Sequence, residues 1–169
     1  PRGGGHFSGR LTVALVAAGV VAKKILPETL TFATRIAEMG GCADPLRFDE
    51  ILREATAEGD SVGGVVECRV GGIPMGWGEP FFDSLESRVA HLLFAVPAVK
   101  GVEFGSGFAA ARMRGSQHND PILDAAGTTA SNHAGGVVGG LSDGNELVVR
   151  AAFKPTPSIA RPQMTFNRT

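Results

Sequence analysis

The sequence predicts an α+β fold, and three observations support that prediction. Segments that alternate apolar with polar residues, or are rich in β-branched ones, predict strands at 30–37, 64–70, 99–104 and 146–153. Segments with apolar residues at helical spacing predict helices at about 10–26, 45–58 and 79–96. The two kinds of element alternate irregularly, and the helices are long and apolar enough to form a layer between sheets.

The first helix is predicted from Arg10 to about Leu26. Ser8 offers an oxygen that caps its start, and Pro27 ends it. The residues of this segment are apolar nearly all round. A helix with no polar face should be buried on every face, either in the middle of the molecule or at a subunit interface.

The elements that follow are predicted from the same signals. The strand at 30–37 is followed by a helix from Pro45 to Glu58, and the strand at 64–70 by a helix that opens at Glu79-Pro80. The predicted core face of that last helix consists of Phe81, Phe82, Leu85, Val89, Leu92 and Leu93. Later elements are a short strand at 99–104, one or two helical turns at 108–114, a polar loop at 116–131, and strands at 137–138 and 146–153 around a turn at 142–145.

Composition excludes several classes of protein. A length of 169 residues suits one domain, and 43% hydrophobic with 20% charged residues is typical of a soluble globular chain. The net charge of −1 and the lack of a basic run argue against a nucleic-acid partner. The longest apolar run, 13–22, is too short to span a membrane. Lys23-Lys24 follows that run where a signal peptide would have its cleavage site, so we predict a cytoplasmic protein.

The two cysteines predict no metal centre. Cys42 and Cys68 are far apart and lack the spacing of a zinc site, so we interpret them as small hydrophobic residues in a reducing compartment.

Glycine-centred segments carry the most specific signal in the chain. They combine backbone freedom with hydroxyls, amides or a cation, the groups that hold phosphate or the edge of a polar ring. The segments are GGGHFSGR at 3–10, GIPMGWGEP at 72–80, PAVKGVEFG at 97–105, SNHAGGVVGG at 131–140 and KPTPSI at 154–159. In order and approximate spacing they resemble chorismate synthase, over nearly the whole chain.

The resemblance implies a β-α-β sandwich, with long buried helices between antiparallel sheets, that assembles as a homotetramer. It also implies that residues 1–169 are a single domain, the core of a longer protein. The family's Gly-Glu-Ser-His-Gly and His-Ala-Asp-Tyr motifs do not occur in this chain, and neither does its final segment with Arg and Asp. We therefore expect no catalytic residue in this segment.

The activity that the resemblance implies is the last step of the shikimate pathway. Members of the family convert 5-enolpyruvylshikimate 3-phosphate to chorismate by anti-1,4-elimination of phosphate and a ring proton. They require reduced FMN although there is no net redox change. The sequence leaves open whether the flavin is reduced externally or by NADPH on the protein itself.

The resemblance also places cofactor-binding and substrate-binding residues. Flavin-contacting positions of the family fall on His6, Phe7, Ser8, Pro97, Ala98, Gly139, Lys154, Pro155, Thr156, Pro157 and Ser158, and a substrate-binding arginine falls on Arg10. Where the family has Arg-Ser, this chain has His6-Phe7. Without the comparison, Ser8 to Arg10 would be interpreted as a helix cap with a surface arginine, and 154–158 as a loop that ends a strand.

The histidines and the overall function leave alternatives open. His91 lies in a predicted helix and has a structural interpretation, whereas His118 and His133 lie in polar loops where a site could be built. One alternative function is a catalytically inactive, oligomerising core that binds flavin weakly or not at all. Another is a different flavin- or phosphate-binding protein, which the linear order of five motifs disfavours.

Overall fold

One four-stranded antiparallel sheet organises the molecule in the computed structural model, which describes residue 5 and residues 8–166. The helices are α1 (Thr12–Ile25), α2 (Phe48–Ala57), α3 (Leu85–Phe94) and the short α4 (Gly115–His118). The strands are β1 (Thr31–Met39), β2 (Gly64–Gly71), β3 (Val99–Phe104), β4 (Val137–Val138), β5 (Leu141–Ser142) and β6 (Leu147–Phe153). Short 3₁₀ turns cover Gly9–Leu11, Pro45–Arg47 and Gly107–Arg112.

The strand order of the main sheet is β1-β2-β6-β3. The last strand in the sequence, β6, therefore lies in the middle, where it pairs with β2 on one side and with β3 on the other. The strands β4 and β5 form a separate two-stranded ribbon. The predicted α+β class is confirmed.

The hydrophobic core lies on one face of this sheet. Val70 of β2 is paired with Leu147 of β6, and both pack with Ile73 and Val137 in one buried cluster. Leu30, Cys68, Leu85 and Phe104 pack against this cluster. Because Val137 belongs to β4, the core ties the small ribbon to the Leu147 end of β6.

The opposite face of the sheet carries charges. Glu67 of β2 is 4% exposed, and its carboxylate accepts hydrogen bonds from Arg35 at 2.9 Å and from Arg69 at 3.0 Å. Burial raises the pKa of the Glu67 carboxyl, but the two guanidinium groups outweigh burial and hold that pKa below its usual range. Arg69 continues the chain of ion pairs to Glu146 at 2.9 Å.

The predicted burial of α1 is wrong within the single chain. None of its residues is buried, and Val13 is 71% and Ile25 79% exposed. The ammonium group of Lys23 lies 4.8 Å from the centre of the Phe32 ring on β1. Little of the single chain packs on α1. The apolar side chains of the helix therefore form a large exposed surface. The start at Ser8 and the end before Pro27 agree with the prediction.

The helix predicted to open at Glu79-Pro80 begins later, at Leu85. Ser84 sets that start, because its hydroxyl accepts the backbone N–H of Ser87. The preceding residues form a turn in which the N–H of Glu79 donates to the carbonyl of Asp83. Phe81 and Phe82, predicted as core residues, are therefore outside the helix and about nine-tenths exposed.

The strands predicted at 137–138 and 146–153 do not form a hairpin around the turn at 142–145. Val137 pairs instead with Ser142 and Val138 with Leu141, across a turn formed by Gly139 and Gly140. Both glycines have positive φ, +63° and +86°, as a two-residue hairpin turn of this kind requires. The turn at 142–145 then leads from this ribbon into β6.

Candidate active site

Two of the predicted site segments meet where β3 begins and β6 ends. The backbone N–H of Lys154 donates to the carbonyl of Ala98 at 2.9 Å, next to the paired residues Val99 and Phe153. Ala98 has a φ of +73°, a left-handed conformation that is uncommon for a residue with a side chain. The structure therefore brings Pro97-Ala98 and the Lys154 segment together, although they are distant in sequence.

The segment 154–158 leaves the sheet with all five side chains exposed. Its path is fixed by Ser61, whose hydroxyl donates to the carbonyl of Thr156 at 2.7 Å. Gly63 packs so closely that an added Cβ would lie 3.0 Å from the ring of Pro155. A rigid backbone that displays an ammonium group and two hydroxyls is suited to hold a phosphate group.

The amino-terminal part of the predicted site is described from Ser8 onward. The Ser8 hydroxyl accepts the N–H of Arg10 at 3.3 Å and so caps the 3₁₀ turn that leads into α1. Arg10 is exposed and makes no ion pair with any of residues 8–166, so its guanidinium group is free to meet an anion. His6 and Phe7 lie outside the described residues.

Gly139 lies apart from the Ala98–Lys154 group in this chain. Its neighbour Gly140 accepts the N–H of Leu85 at the start of α3, whereas Ala98 follows the end of that helix. A helix of 10 residues is about 15 Å long, which sets the scale of this separation. Nothing lies within 4 Å of the position of an added Cβ at Gly139, so its backbone is open to close approach.

An aspartate that the sequence analysis did not select organises the loop before this ribbon. The Asp120 carboxylate accepts three hydrogen bonds, from the Ser131 hydroxyl at 2.7 Å and from the N–H groups of His133 and Ala134, both at 2.8 Å. Burial raises the pKa of the Asp120 carboxyl, but these donors outweigh burial and hold the pKa below its usual range.

The two histidines left open by the sequence lie beside this carboxylate. The centres of the His118 and His133 rings are 5.8 Å apart, and the Ser106 hydroxyl lies 2.8 Å from Nδ1 of His133. His118 and Gly139 line the same cavity, of about 750 Å³. His91 is exposed on α3. The structure thus places His118 and Asp120 of this polar loop in the same cavity lining as the Gly139 turn, with His133 packed behind them against Ser106.

Substituting Asp120 tests the rigidity of this loop. In Asp120→Asn, the side-chain NH₂ group replaces one carboxylate oxygen and faces the backbone N–H of His133 or Ala134. At least one hydrogen bond is lost, and that N–H group is left without its acceptor. We expect the free energy of unfolding at pH 7 to fall by about 1–3 kcal/mol. The pKa of the Asp120 carboxyl is lower in the folded than in the unfolded protein. The extra stability of the wild type is therefore fully present above the unfolded-state pKa, and it disappears as the pH falls through the folded-state pKa.

Urea unfolding at pH 7 and near pH 3 measures this effect. Asp124→Asn is the matched control, since the hydrogen bonds of the Asp124 carboxylate stay within its own turn and include the N–H groups of Ala126 and Thr128. Equal losses from the two substitutions would contradict a special role for Asp120.

Comparison with known proteins decides the family. The sequence profile of chorismate synthase matches residues 1–169. This chain belongs to the chorismate synthase family.

Individual chorismate synthases agree with the profile. The enzyme of Chitinophaga pinensis is 60% identical over 166 residues, which cover 98% of this chain and 49% of that relative. Those of Korarchaeum cryptofilum and Thermococcus kodakarensis are each 46% identical, with 97% of this chain and 53% of the relative covered. The chain therefore spans about half the length of the curated relatives it matches.

A solved chorismate synthase shares the fold. A chain from a crystal structure of the enzyme superimposes with a TM-score of 0.82 at 30% sequence identity, covering 89% of this chain and 57% of the other. This likeness supports the α+β architecture described above.

Proposed function

We propose that the protein containing this chain is a chorismate synthase. It converts 5-enolpyruvylshikimate 3-phosphate to chorismate by anti-1,4-elimination of phosphate and uses reduced FMN. The observation that carries this proposal is the 60% identity to the Chitinophaga pinensis enzyme over 98% of the chain. Residues 1–169 are proposed to form one domain, the core of that enzyme.

The residues present fit a flavin mononucleotide. Lys154, Thr156 and Ser158 supply a cation and two hydroxyls on an exposed, rigid backbone, the donor set that a phosphate group requires. Gly139 supplies an unobstructed backbone against which a flat ring can lie. Since the two groups lie near opposite ends of α3, we propose that the Lys154 segment holds the phosphate end of FMN and Gly139 the ring end.

The chemistry divides between the cofactor and the chain. Reduced FMN, when bound, supplies an electron-rich ring that stabilises the electron-poor stage of the elimination. The contribution of this chain is to bind and orient. Arg10, exposed at the start of α1, is proposed to hold an anionic group of the substrate, where the free N–H groups of the helix terminus add to the attraction.

The exposed apolar surface supports self-association. Val13, Val16 and Val21 of α1 are all more than half exposed. Apolar surface of this extent on one helix is typical of an interface. We propose that α1 is covered in the assembled enzyme, a homotetramer, and sedimentation equilibrium of the full-length protein measures its mass. A monomer in solution would contradict the proposed assembly.

No helix within residues 8–166 is both long and apolar enough to cross a bilayer. Cys42 and Cys68 are both free thiols. Free thiols are compatible with a reducing compartment, and we propose that the enzyme acts in the cytoplasm.

Anaerobic turnover tests the proposed activity. The full-length protein, incubated with 5-enolpyruvylshikimate 3-phosphate and chemically reduced FMN, is expected to release chorismate and inorganic phosphate in equal amounts. Omitting the flavin is the control and should abolish both products. Flavin binding without product formation would favour the alternative of an inactive, oligomerising core.

A further inference from the structure

We propose that Ser142 is a positioning residue that holds the Gly139-Gly140 turn in place for flavin. This inference rests on the proposed function, in which Gly139 lies against the ring end of FMN. Ser142 is the second residue of β5 and is paired with Val137 across the small ribbon. It is 2% exposed, so its polar groups need partners within the protein.

All of those partners lie in one loop, the segment 74–77. The Ser142 hydroxyl donates to the carbonyl of Pro74 at 2.6 Å and accepts the N–H of Trp77 at 2.8 Å. The Ser142 backbone donates to the carbonyl of Trp77 and accepts the N–H of Gly76, both at 2.8 Å. Four hydrogen bonds from one residue thus join the ribbon to a glycine-rich loop.

A small hydroxyl is the side chain that this geometry requires. It donates and accepts at the same time, so both the Pro74 carbonyl and the Trp77 N–H are satisfied. Alanine at position 142 would remove both bonds while leaving the site closed to water. The carbonyl of Pro74 and the N–H of Trp77 would then lack this partner, and only the two backbone bonds to residue 142 would hold the loop against the ribbon.

Movement of this loop would reach Gly139 through close backbone packing. A Cβ added to Gly78 would collide with the carbonyl oxygen of Gly140, and one added to Gly140 would lie 2.8 Å from Cβ of Ser84. The Gly140 carbonyl is also held by the N–H of Leu85 at 2.9 Å. The turn therefore sits between the loop and the start of α3. Ser142 lies only three residues from Gly139 and holds the loop 74–77 against this turn.

The test compares FMN affinity and stability in the full-length protein. Ser142→Ala is expected to raise the Kd for FMN about tenfold or more, measured by fluorescence well below the melting temperature. Ser142→Cys keeps a weaker donor and acceptor and should recover part of the affinity. Val149→Ala is the matched control: Val149 is 7% exposed in the middle of β6, so the substitution lowers stability without touching the loop. It should leave the Kd within about twofold.

Each outcome bears on a different proposal. If Ser142→Ala binds FMN with the wild-type Kd and only its melting temperature falls, the positioning role is overturned. An equal rise in the Kd for FMN in Val149→Ala would overturn it as well. If the wild-type protein neither binds FMN nor forms chorismate, the proposed function fails instead.

Hydrogen exchange in the wild type covers the case in which Ser142→Ala does not fold. Bound FMN should slow exchange of the Gly76, Trp77 and Ser142 amides more than that of β1. Unchanged exchange at these three amides with FMN bound would overturn the proposal.

Discussion

Residues 1–169 alone are expected to form no measurable chorismate, whereas the full-length protein is expected to form it. The family's two histidine-bearing motifs do not occur in this sequence. Loss of general acid–base groups typically lowers a rate by about 10²–10⁴-fold. The resemblance gives residues 1–169 one substrate contact, Arg10. The affinity for FMN should fall as well, because residues 1–169 supply only part of the flavin-binding surface. Ordering the loops that remain also costs free energy on binding.

Turnover of the phosphorylated substrate with reduced FMN, under anaerobic conditions, compares the two proteins directly. Equal FMN saturation in both samples is needed, so the flavin concentration is raised until the rate no longer changes. Comparable rates would place the proton-handling groups within residues 1–169. His118 and His133 would then be the first residues to replace by glutamine.

Gly105→Ala is expected to lower the free energy of unfolding by on the order of 4 kcal/mol. Gly105 has a φ of +52°, and a Cβ there would collide with the carbonyl oxygen of His133 and the nitrogen of Gly135. Neither of these can move easily. The N–H of Ser106 donates to the same carbonyl at 2.8 Å, and Asp120 holds the adjacent N–H groups of His133 and Ala134.

Gly41→Ala separates backbone strain from collision. Gly41 also has a left-handed φ, +82°, but nothing lies within 4 Å of its added Cβ. Its substitution should therefore cost only the conformational strain, about 1–2 kcal/mol. Urea denaturation of both variants in the full-length protein measures the difference. Equal losses would show that the close approach of Gly105 to the His133 loop does not matter.

The parts of the fold that were predicted correctly are those with a local signal. The sequence pattern predicts both ends of β3 correctly and the bounds of β2 to within one residue, and Ser8 and Pro27 mark the ends of the first helix. The start of α3 was missed because Phe81 and Phe82 extend the helical pattern, whereas the cap at Ser84 decides the boundary. The pairing of β4 with β5 was missed because strand partners are not encoded locally.

The candidate site divides in the same way. The order of the glycine-rich segments identifies the family, and the meeting of Ala98 with Lys154 follows once β3 and β6 are known to be neighbours. The roles of Asp120 and Ser142 could not be predicted, because their hydrogen bonds join residues 11–14 and 65–68 positions apart. No periodicity in the sequence reports such contacts.

The central place of β6 determines when this sheet can form during translation. β6 pairs with β2, about 80 residues earlier in the chain, so β2 emerges from the ribosome long before its inner partner. At about 5–20 residues per second, that wait lasts several seconds. Until β6 arrives, the antiparallel pair of β1 and β2 presents an open edge on a nascent chain, which favours chaperone binding or mispairing. Pulse-labelling of stalled ribosome complexes should therefore find the sheet unprotected until residue 153 has left the exit tunnel.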